Sequence, residues 1–456
     1  MQAVILAAGR GSRLGRLTEK IPKALVKVAG KPLLTHVLGN LRLVGIKEVV
    51  IVIGYLGELI KQAIGNKLAD MTIRYAENPQ WEKGNLYSLL AAEKYVNQDF
   101  LLCMTDHLFD FRILRALIKS QNNRKGIVTL VIDKRAALDE DTKVLAENNK
   151  IVDIGKKIPS YNCVDTGIFL CTPEIFKYAR EAVSKGRKTL SECIKLIADD
   201  GLAYTFDLDK VPTYLPKMRR HFKPFWIDVD TVEDLQKAEK LLVERASKEP
   251  SDLIAKYINK PIENKLVLIL AKTSITPNQI TIIVNVIAYL VAYLFLIGQL
   301  VIGSILTFIV GVLDGVDGKL ARIKGMESKI GVLEHPFDML FECSWYISLA
   351  LYSFWTTSDV NPLIVCLFIL LFIAFYRFIY DQFKKVTGVS LDDYSSFERY
   401  FRRIAGRRNL YNVPILIFSL LGAPFYALIT ILCHAALTAA VYAWRAGKHL
   451  HELDRY

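Results

Sequence analysis

The sequence predicts two folds on one chain: an N-terminal α/β domain built, Rossmann-like, on a mainly parallel sheet, and a C-terminal all-α domain of six transmembrane helices. Three observations lead there. Residues 1 to about 245 mix charged and apolar residues as a globular domain does, with short strands alternating with helices. From about 280 onward long apolar runs are separated by short polar or basic loops, and Ile280 to Leu313 contains no charged side chain. A mean hydropathy of +0.26 over 456 residues is too high for an ordinary soluble chain of that length. The expected division is 1–245 for the first domain, 246–278 for a linker and interfacial helix, and 279–456 for the membrane domain.

The first strand is "AVILAA". No basic segment precedes it and its apolar run is too short for a secretory leader, so the soluble part is expected in the cytosol. Gly9 and Gly11 follow, letting backbone N–H groups approach a phosphate, while Arg13 and Lys23 bring positive charge for a polyphosphate. No third glycine completes a dinucleotide fingerprint, and no GKS or GKT marks a P-loop. Apolar patterning then predicts a strand over 48–53, a helix over 56–64, a strand over 71–75, a helix over 86–95 and a strand over 99–104. Asp106 follows that last strand, at the strand end where open α/β sheets bind ligands. In "FWIDVDTVEDLQKAEKLL", Asp228 and Asp230 precede a helix that Thr231 opens, and Asp230 could equally be a helix cap.

In the second half the runs predict helices at about 280–297, 300–323, 330–356, 361–383, 410–424 and 425–445, the first two separated at Gly298-Gln299. Arg322, Lys324 and Lys329 lie in one loop, and Lys384, Lys385, Arg399, Arg402, Arg403, Arg407 and Arg408 in another, whereas the alternate turns carry no Lys or Arg. Positive-inside bias therefore predicts a multi-pass cell-membrane protein with its N-terminal domain and C-terminus cytoplasmic. Residues 251–278 have helical apolar spacing with lysines between, fitting an interfacial or a plain linker helix, and Thr276-Pro277 starts the first span.

The formal charge of +13 does not point to nucleic acid, because no basic stripe is interleaved with aromatics and the C-terminal excess flanks apolar runs; the expected neighbour is a lipid bilayer. Seven cysteines without a CxxC pair predict neither a disulfide framework nor a zinc site.

Carboxylates at membrane depth are costly and mark sites. Asp314 and Asp317, three apart, project from one helical face beside Gly318, and Glu334, Asp338 and Glu342 recur every four residues. Such oxygen ligands suit a hard cation such as Mg²⁺. Asp314, Asp317, Gly318, Ala321 and Arg322, followed by Gly331, resemble the CDP-alcohol phosphotransferase motif D-x-x-D-G-x-x-A-R-x₈-G-x₃-D-x₃-D. The resemblance implies divalent ions, Mg²⁺ or Mn²⁺, bridging the carboxylates and the pyrophosphate of a CDP-alcohol, nucleotide contacts from Gly318, Ala321 and Arg322, and a last Asp that activates an acceptor hydroxyl. The pattern then departs: His335 and Met339 stand where the third and fourth Asp belong. A shift by one residue makes Glu334 the third ligand and Asp338 the base and further ligand, with His335 an alternative ligand; a degenerate site that binds nucleotide without transfer is the competing reading. The basic loop 397–412 serves either as topology determinant or, through Arg399, Arg402, Arg403, Arg407 and Arg408, as a binding site for an acceptor phosphate. Arg377 and Asp381 read as an ion pair.

Leu6, Ala7, Ala8, Gly9, Gly11, Arg13 and Leu14, with Pro22-Lys23 downstream, resemble the nucleotidyltransferase superfamily that makes nucleotide-sugars and CDP-alcohols. This implies nucleotide binding along Leu6 to Gly11, catalytic charge from Arg13 and Lys23, and a metal at Asp106 completed by Asp228 or Asp230. "NPQWEKGNLYSLLAAEKYV", "TDHLFD" and "VDTGIF" are most similar to inositol-1-phosphate cytidylyltransferases, which implies contacts from Asn85 and Ser88 to nucleotide or acceptor; a capped helix start is the structural alternative for Asn85. The fusion resembles the bifunctional inositol-1-phosphate cytidylyltransferase and di-myo-inositol phosphate phosphate synthase family. It implies CTP, inositol-1-phosphate and a CDP-alcohol as substrates, and leaves room for a homodimer. A different CDP-alcohol with a lipid acceptor, or a membrane half that only anchors, are the alternatives.

Overall fold

In the computed structural model, described for residues 1–123, 126–215, 218–249, 251–327 and 334–455, the chain divides into two compact units. One comprises Met1–Leu215 with His221–Leu241, the other Pro216–Arg220 with Leu242–Tyr456.

The first unit is built on strands β1 (Gln2–Ala7), β2 (Glu48–Ile53), β3 (Lys67–Leu68), β4 (Met71–Glu77), β5 (Phe100–Met104), β6 (His107–Phe109), β7 (Val128–Asp133), β8 (Lys143–Glu147), β9 (Lys150–Gly155), β10 (Cys163–Cys171), β11 (Ala203–Asp207) and β12 (Trp226–Asp228). Ten of them form one sheet in the order β8-β9-β11-β7-β10-β5-β1-β2-β4-β3. Strands β5, β1, β2 and β4 run parallel, as the near-continuous apolar runs of β1 and β2 require of strands covered on both faces. The sheet is mixed, not mainly parallel: β10 is antiparallel to both β5 and β7, and β8 and β9 pair antiparallel. The strand-helix alternation that suggested parallel pairing holds only for roughly the first hundred residues, after which hairpin-like returns take over. Two apolar layers fill the faces, one around Val4, Leu102, Leu130 and Phe169, the other around Ile5, Ile51, Leu101 and Leu170. Helices α1 (Leu33–Leu43), α2 (Gly57–Ile64), α3 (Asn85–Ala91), α4 (Phe111–Lys119), α5 (Ile175–Ser184), α6 (Leu190–Asp199) and α7 (Val232–Arg245) complete this part of the chain.

The second unit is helical: α8 (Lys260–Leu270), α9 (Pro277–Leu296), α10 (Leu300–Lys324), α11 (Glu334–Thr357), α12 (Asn361–Thr387), the short α13 (Leu391–Tyr394) and α14 (Ser396–Phe401), α15 (Arg408–Leu420) and α16 (Pro424–Leu453). Thr276 and Gln279 close a capping box with Pro277 in the first turn of α9. The turn between α9 and α10 uses Gly298 at φ +81°, where a Cβ would strike Tyr352 at 2.7 Å. The outward faces are apolar: Ile282, Val286, Ile302, Leu367, Phe378, Leu421 and Trp444 are exposed, the inverse of a soluble bundle. Among the described residues four helices, α9, α10, α12 and α16, are long and apolar enough to cross a bilayer, fewer than the six expected. The 13 residues of α15 span only about 20 Å at the usual rise, and α11 begins with the acidic residues of the motif.

Candidate active sites

In the first unit the loop after β1 turns through Gly11 at φ +70°, and a Cβ there would meet the Lys23 side chain at 2.7 Å. Lys23 is buried in a single 3₁₀ turn (Lys23–Leu25) and donates to Asp106 at 2.8 Å and to Asp230 at 2.5 Å. Arg13 reaches the other oxygen of Asp230 at 2.5 Å. Burial opposes the charge on Lys23, but Asp106, Asp228 and Asp230 outweigh it and raise its pKa. Burial likewise opposes ionisation of Asp106, yet Lys23 and His107 bring it well below the usual carboxylate range.

Asp106 lies between β5 and β6, and β6 pairs antiparallel with β12 in a register that sets His107 opposite Asp228. Asp106, His107 and Asp228 form the one group among the described residues that offers three possible ligand atoms all within 4.8 Å of one another. Asp228 Oδ1 is buried and without a hydrogen-bond partner, and burial pushes this carboxyl up to about 7 despite the opposing charge of His107. An orphaned buried oxygen beside a second carboxylate is what a divalent cation would satisfy, so these residues fit one. Asp230, expected as an alternative ligand, is turned to Lys23 and Arg13 instead, and Thr231 rather than Asp230 meets the start of α7, through Asp234 at 2.7 Å. A cleft of about 910 Å³ opens here, lined among others by Arg13, His107, Arg135, Asp165, Trp226 and Asp228.

The sequence gives little sign of His107, Asp165, Arg135 or Trp226 as site residues, although "TDH" and "VDT" hold two of them. Arg135 lies over the Trp226 ring at 5.0 Å, and its guanidinium is held by Asp141 at 2.8 and 2.9 Å. Leu6, Ala7 and Ala8 are buried at the end of β1, and Gly9 has open space at its Cβ position. Asn85 and Ser88 each make a hydrogen bond within the protein. Asn85 Oδ1 accepts from the Leu190 N–H at 2.7 Å, and buried Ser88 accepts from Asn78 at 3.0 Å, so both brace α3 against neighbouring chain.

In the second unit Asp314 and Asp317 sit on α10. Asp314 pairs with Arg408 of α15 at 2.5 Å, and the same guanidinium comes within 3.8 Å of Asp338 on α11. Asp317 is buried and accepts from Thr281 of α9 at 2.7 Å. Two carboxylates, Asp314 and Asp338, thus share one guanidinium while Asp317 is bound to Thr281, an anionic excess that a cation would balance. Gly318 lets the Arg322 guanidinium lie along α10, where a Cβ would be 3.2 Å from it, and Arg322 Nε donates to the Ala246 carbonyl at 2.6 Å. Ala321 is one turn on, on the same helix.

The side chain of Glu334 lies outside the described residues. His335 is 84% exposed on its side chain, with Nδ1 3.9 Å from Asp338. Glu342 is buried and bound by Tyr346 at 2.8 Å and by Arg377, so Arg377 pairs across to α11 rather than with Asp381 one turn along α12. The arginine cluster is largely committed internally. Arg402 and Arg407 each reach fully buried Asp392 at 2.9 Å, and Arg399 reaches buried Asp393 at 2.6 Å. Arg403 lies over the Tyr400 ring at 4.9 Å. A short acidic helix, α13, supplies carboxylates that the linear spacing of the basic loop does not reveal. Only Arg408 of the five stands among the acidic residues of the motif.

Comparison with known proteins separates the same two halves. Residues 3–204 match the model of the MobA-like NTP transferase domain, and residues 274–439 that of the CDP-alcohol phosphatidyltransferases. The chain is 29% identical over 453 residues to the bifunctional IPC transferase and DIPP synthase of Aquifex aeolicus, covering 97% of this chain and 98% of that protein. It is 31% identical over 337 residues to the protein of the same name from Rubrobacter xylanophilus, covering 73% and 72%, and 29% identical to that from Thermococcus kodakarensis, covering 90% and 88%. With a nucleotidyltransferase half and a membrane-type CDP-alcohol half on one chain, matched along nearly its whole length, the chain belongs to the family of bifunctional IPC transferases and DIPP synthases.

Proposed function

We propose that the first unit joins CTP to inositol-1-phosphate, giving CDP-inositol and pyrophosphate, and that the second transfers inositol phosphate from CDP-inositol to a second inositol-1-phosphate, giving di-myo-inositol phosphate phosphate and CMP. The observation that carries this reading is the pairing, on one chain, of a cationic nucleotide loop facing Asp106 and Asp228 with a carboxylate cluster inside an apolar helical unit.

In the soluble reaction the backbone from Leu6 to Gly11 receives the triphosphate, and Lys23 and Arg13, aimed by Asp230, neutralise charge on the departing pyrophosphate. The inositol-1-phosphate oxygen attacks the α-phosphorus in line, with no side-chain nucleophile. In the membrane reaction Gly318 and Ala321 permit close approach of the diphosphate, with Arg322 beside it. Asp338 takes the proton of the acceptor hydroxyl, whose oxygen attacks the phosphorus bearing inositol as CMP leaves. Arg408 is the guanidinium placed to hold the acceptor's phosphate. A divalent cation, Mg²⁺ or Mn²⁺, would be held by Asp106 and Asp228 in one unit and by Asp314, Asp317 and Asp338 in the other, supplying charge neutralisation at the pyrophosphate. The basic loops support a cytoplasmic position for the carboxylate cluster, with α11 and α15 completing the passes beside the four long apolar helices.

The test is direct. Purified protein given CTP, Mg²⁺ and inositol-1-phosphate should release pyrophosphate and then CMP, and the product mass should correspond to two inositols and two phosphates. Release of neither pyrophosphate nor CMP refutes the proposal, and a product formed only from another alcohol phosphate refutes the substrate.

A further inference from the structure

The β6–β12 ribbon carries an imidazole to the two carboxylates of the soluble site. His107 Nε2 stands 3.8 Å from Asp106 Oδ1 and 3.8 Å from Asp228 Oδ1. Two donors each about 2.1 Å from a common ion are about 3.0 Å apart when adjacent and about 4.2 Å apart when opposite, so these separations lie within one coordination shell. The other ring nitrogen is fixed: Nδ1 lies 2.6 Å from the Thr166 carbonyl oxygen, which accepts and therefore requires the proton there. In the neutral ring Nε2 then carries the lone pair, 3.8 Å from each carboxylate, and a backbone carbonyl on the other nitrogen is the kind of contact that orients a ligating histidine. Room for the ring is cut into the neighbouring strand. Gly167 has φ +71°, and a Cβ there would stand 2.3 Å from His107 Nδ1. Trp226 covers the ring at 5.9 Å between centroids. Asp230, meanwhile, has one oxygen on Lys23 and the other on Arg13.

Resting on the soluble reaction proposed above, we infer that His107 Nε2 is a ligand of the soluble unit's divalent cation, so that the ligand set is Asp106, His107 and Asp228, while Asp230 positions the two catalytic cations. One imidazole among oxygen ligands shifts preference away from Mg²⁺, which takes oxygen, toward Mn²⁺ or Co²⁺. His107 is in this sense a specificity-determining residue.

The test uses the full chain in detergent with the membrane site disabled by D314N and H335Q, so that an imidazole signal from that half does not intervene. Mn²⁺ binding is followed by electron paramagnetic resonance and the bound ion by pulsed measurements of ¹⁴N coupling, alongside pyrophosphate release from CTP and inositol-1-phosphate. With His107 in place the bound Mn²⁺ should show imidazole ¹⁴N coupling. H107Q should lose that coupling, bind Mn²⁺ about 10- to 100-fold more weakly, and lower the ratio of Mn²⁺- to Mg²⁺-supported pyrophosphate release. H107A, with thermal unfolding checked, serves if H107Q does not fold. The inference is overturned if the protein releases pyrophosphate but its bound Mn²⁺ shows no ¹⁴N coupling, or if the coupling and affinity survive both substitutions. Absence of pyrophosphate release with either ion, in the otherwise natural chain, would instead overturn the parent reading.

Discussion

Arg408 on α15 lies 2.5 Å from Asp314 on α10, and its guanidinium sits over the Phe341 ring of α11 at 4.8 Å. One side chain therefore connects the first carboxylate of the acidic motif to the helix that carries Asp338. The pair is largely buried, so removing Arg408 leaves the Asp314 carboxylate without its partner, at a cost of about 3–5 kcal/mol.

The first prediction concerns that pair. R408Q should reduce CMP release at least 100-fold, while pyrophosphate release from CTP continues at the natural rate. R408K should recover little, because an ammonium cannot present the fork that spans Asp314 and approaches Asp338. Assays of the two products in parallel distinguish the halves, and unaltered CMP release in R408Q would exclude a role for this residue in transfer.

The soluble half answers to Lys23, whose ammonium bonds both Asp106 and Asp230. K23M should lower pyrophosphate release by about 10²–10³-fold, the range seen when a single charge-stabilising donor is lost. CMP release from CDP-inositol supplied to the same variant should be unchanged. A K23M protein that kept its full pyrophosphate rate would show that the loop's charge is dispensable.

Asp165 supplies a pH dependence. Burial pushes its carboxyl up to about 6 from the ordinary 3.8, against the Gly167 N–H and the charge of His107, which pull it down. The native chain thus holds this proton more tightly than the unfolded one. The associated stability is present below about 4 and is lost as pH rises through about 6, amounting at most to something on the order of 3 kcal/mol. D165N keeps the acceptor for Gly167 and removes the titration, so its melting temperature should gain on the natural protein steadily from pH 4 to pH 7. Parallel pH profiles for the two proteins would contradict this.

Inside the second unit, Glu263 of α8 packs against the acidic helix. A Cβ on Gly315 would come within 2.3–2.6 Å of the Glu263 carboxylate, which in turn pairs with buried Lys319 at 2.7 Å. G315A should therefore destabilise the unit by about 1–3 kcal/mol, the usual range for overpacking, and reduce CMP release with it. Because E263A by itself strands buried Lys319, the double substitution G315A/E263A should lose less melting temperature than the sum of the two single substitutions. If the double substitution is simply additive, the two residues do not contend for the same space.

Much of this arrangement was legible before folding. The two solvents of the two halves, the strand and glycine turn of the nucleotide loop, and the Asp314–Asp317 pair follow from periodicity and spacing, which are local properties. The helix ends at Thr276 and Gly298 were equally local, set by a side-chain cap and a positive φ. What resisted reading was partnership at long range. The basic loop looked free to receive a phosphate because nothing in its own spacing shows that Asp392 and Asp393 come back to neutralise Arg402, Arg407 and Arg399. Arg377 was assigned to the nearest acid along its helix, and the fold gave it Glu342 instead. In the sheet, the antiparallel insertion of β10 between β5 and β7 could not be foreseen from strands that individually look alike.

The sequence by itself determined which chemistry is available and which half is apolar, because residue type, spacing and hydropathy act within a few turns of chain. The tertiary structure alone decided which oxygen meets which cation. Asp230 turns to Lys23 and Arg13 while His107, opposite Asp228 across a two-stranded ribbon, stands 3.8 Å from the carboxylates of Asp106 and Asp228. Electrostatic pairing falls off over a few ångströms, and such distances between residues 106 and 228 are set by strand register, which no local pattern encodes.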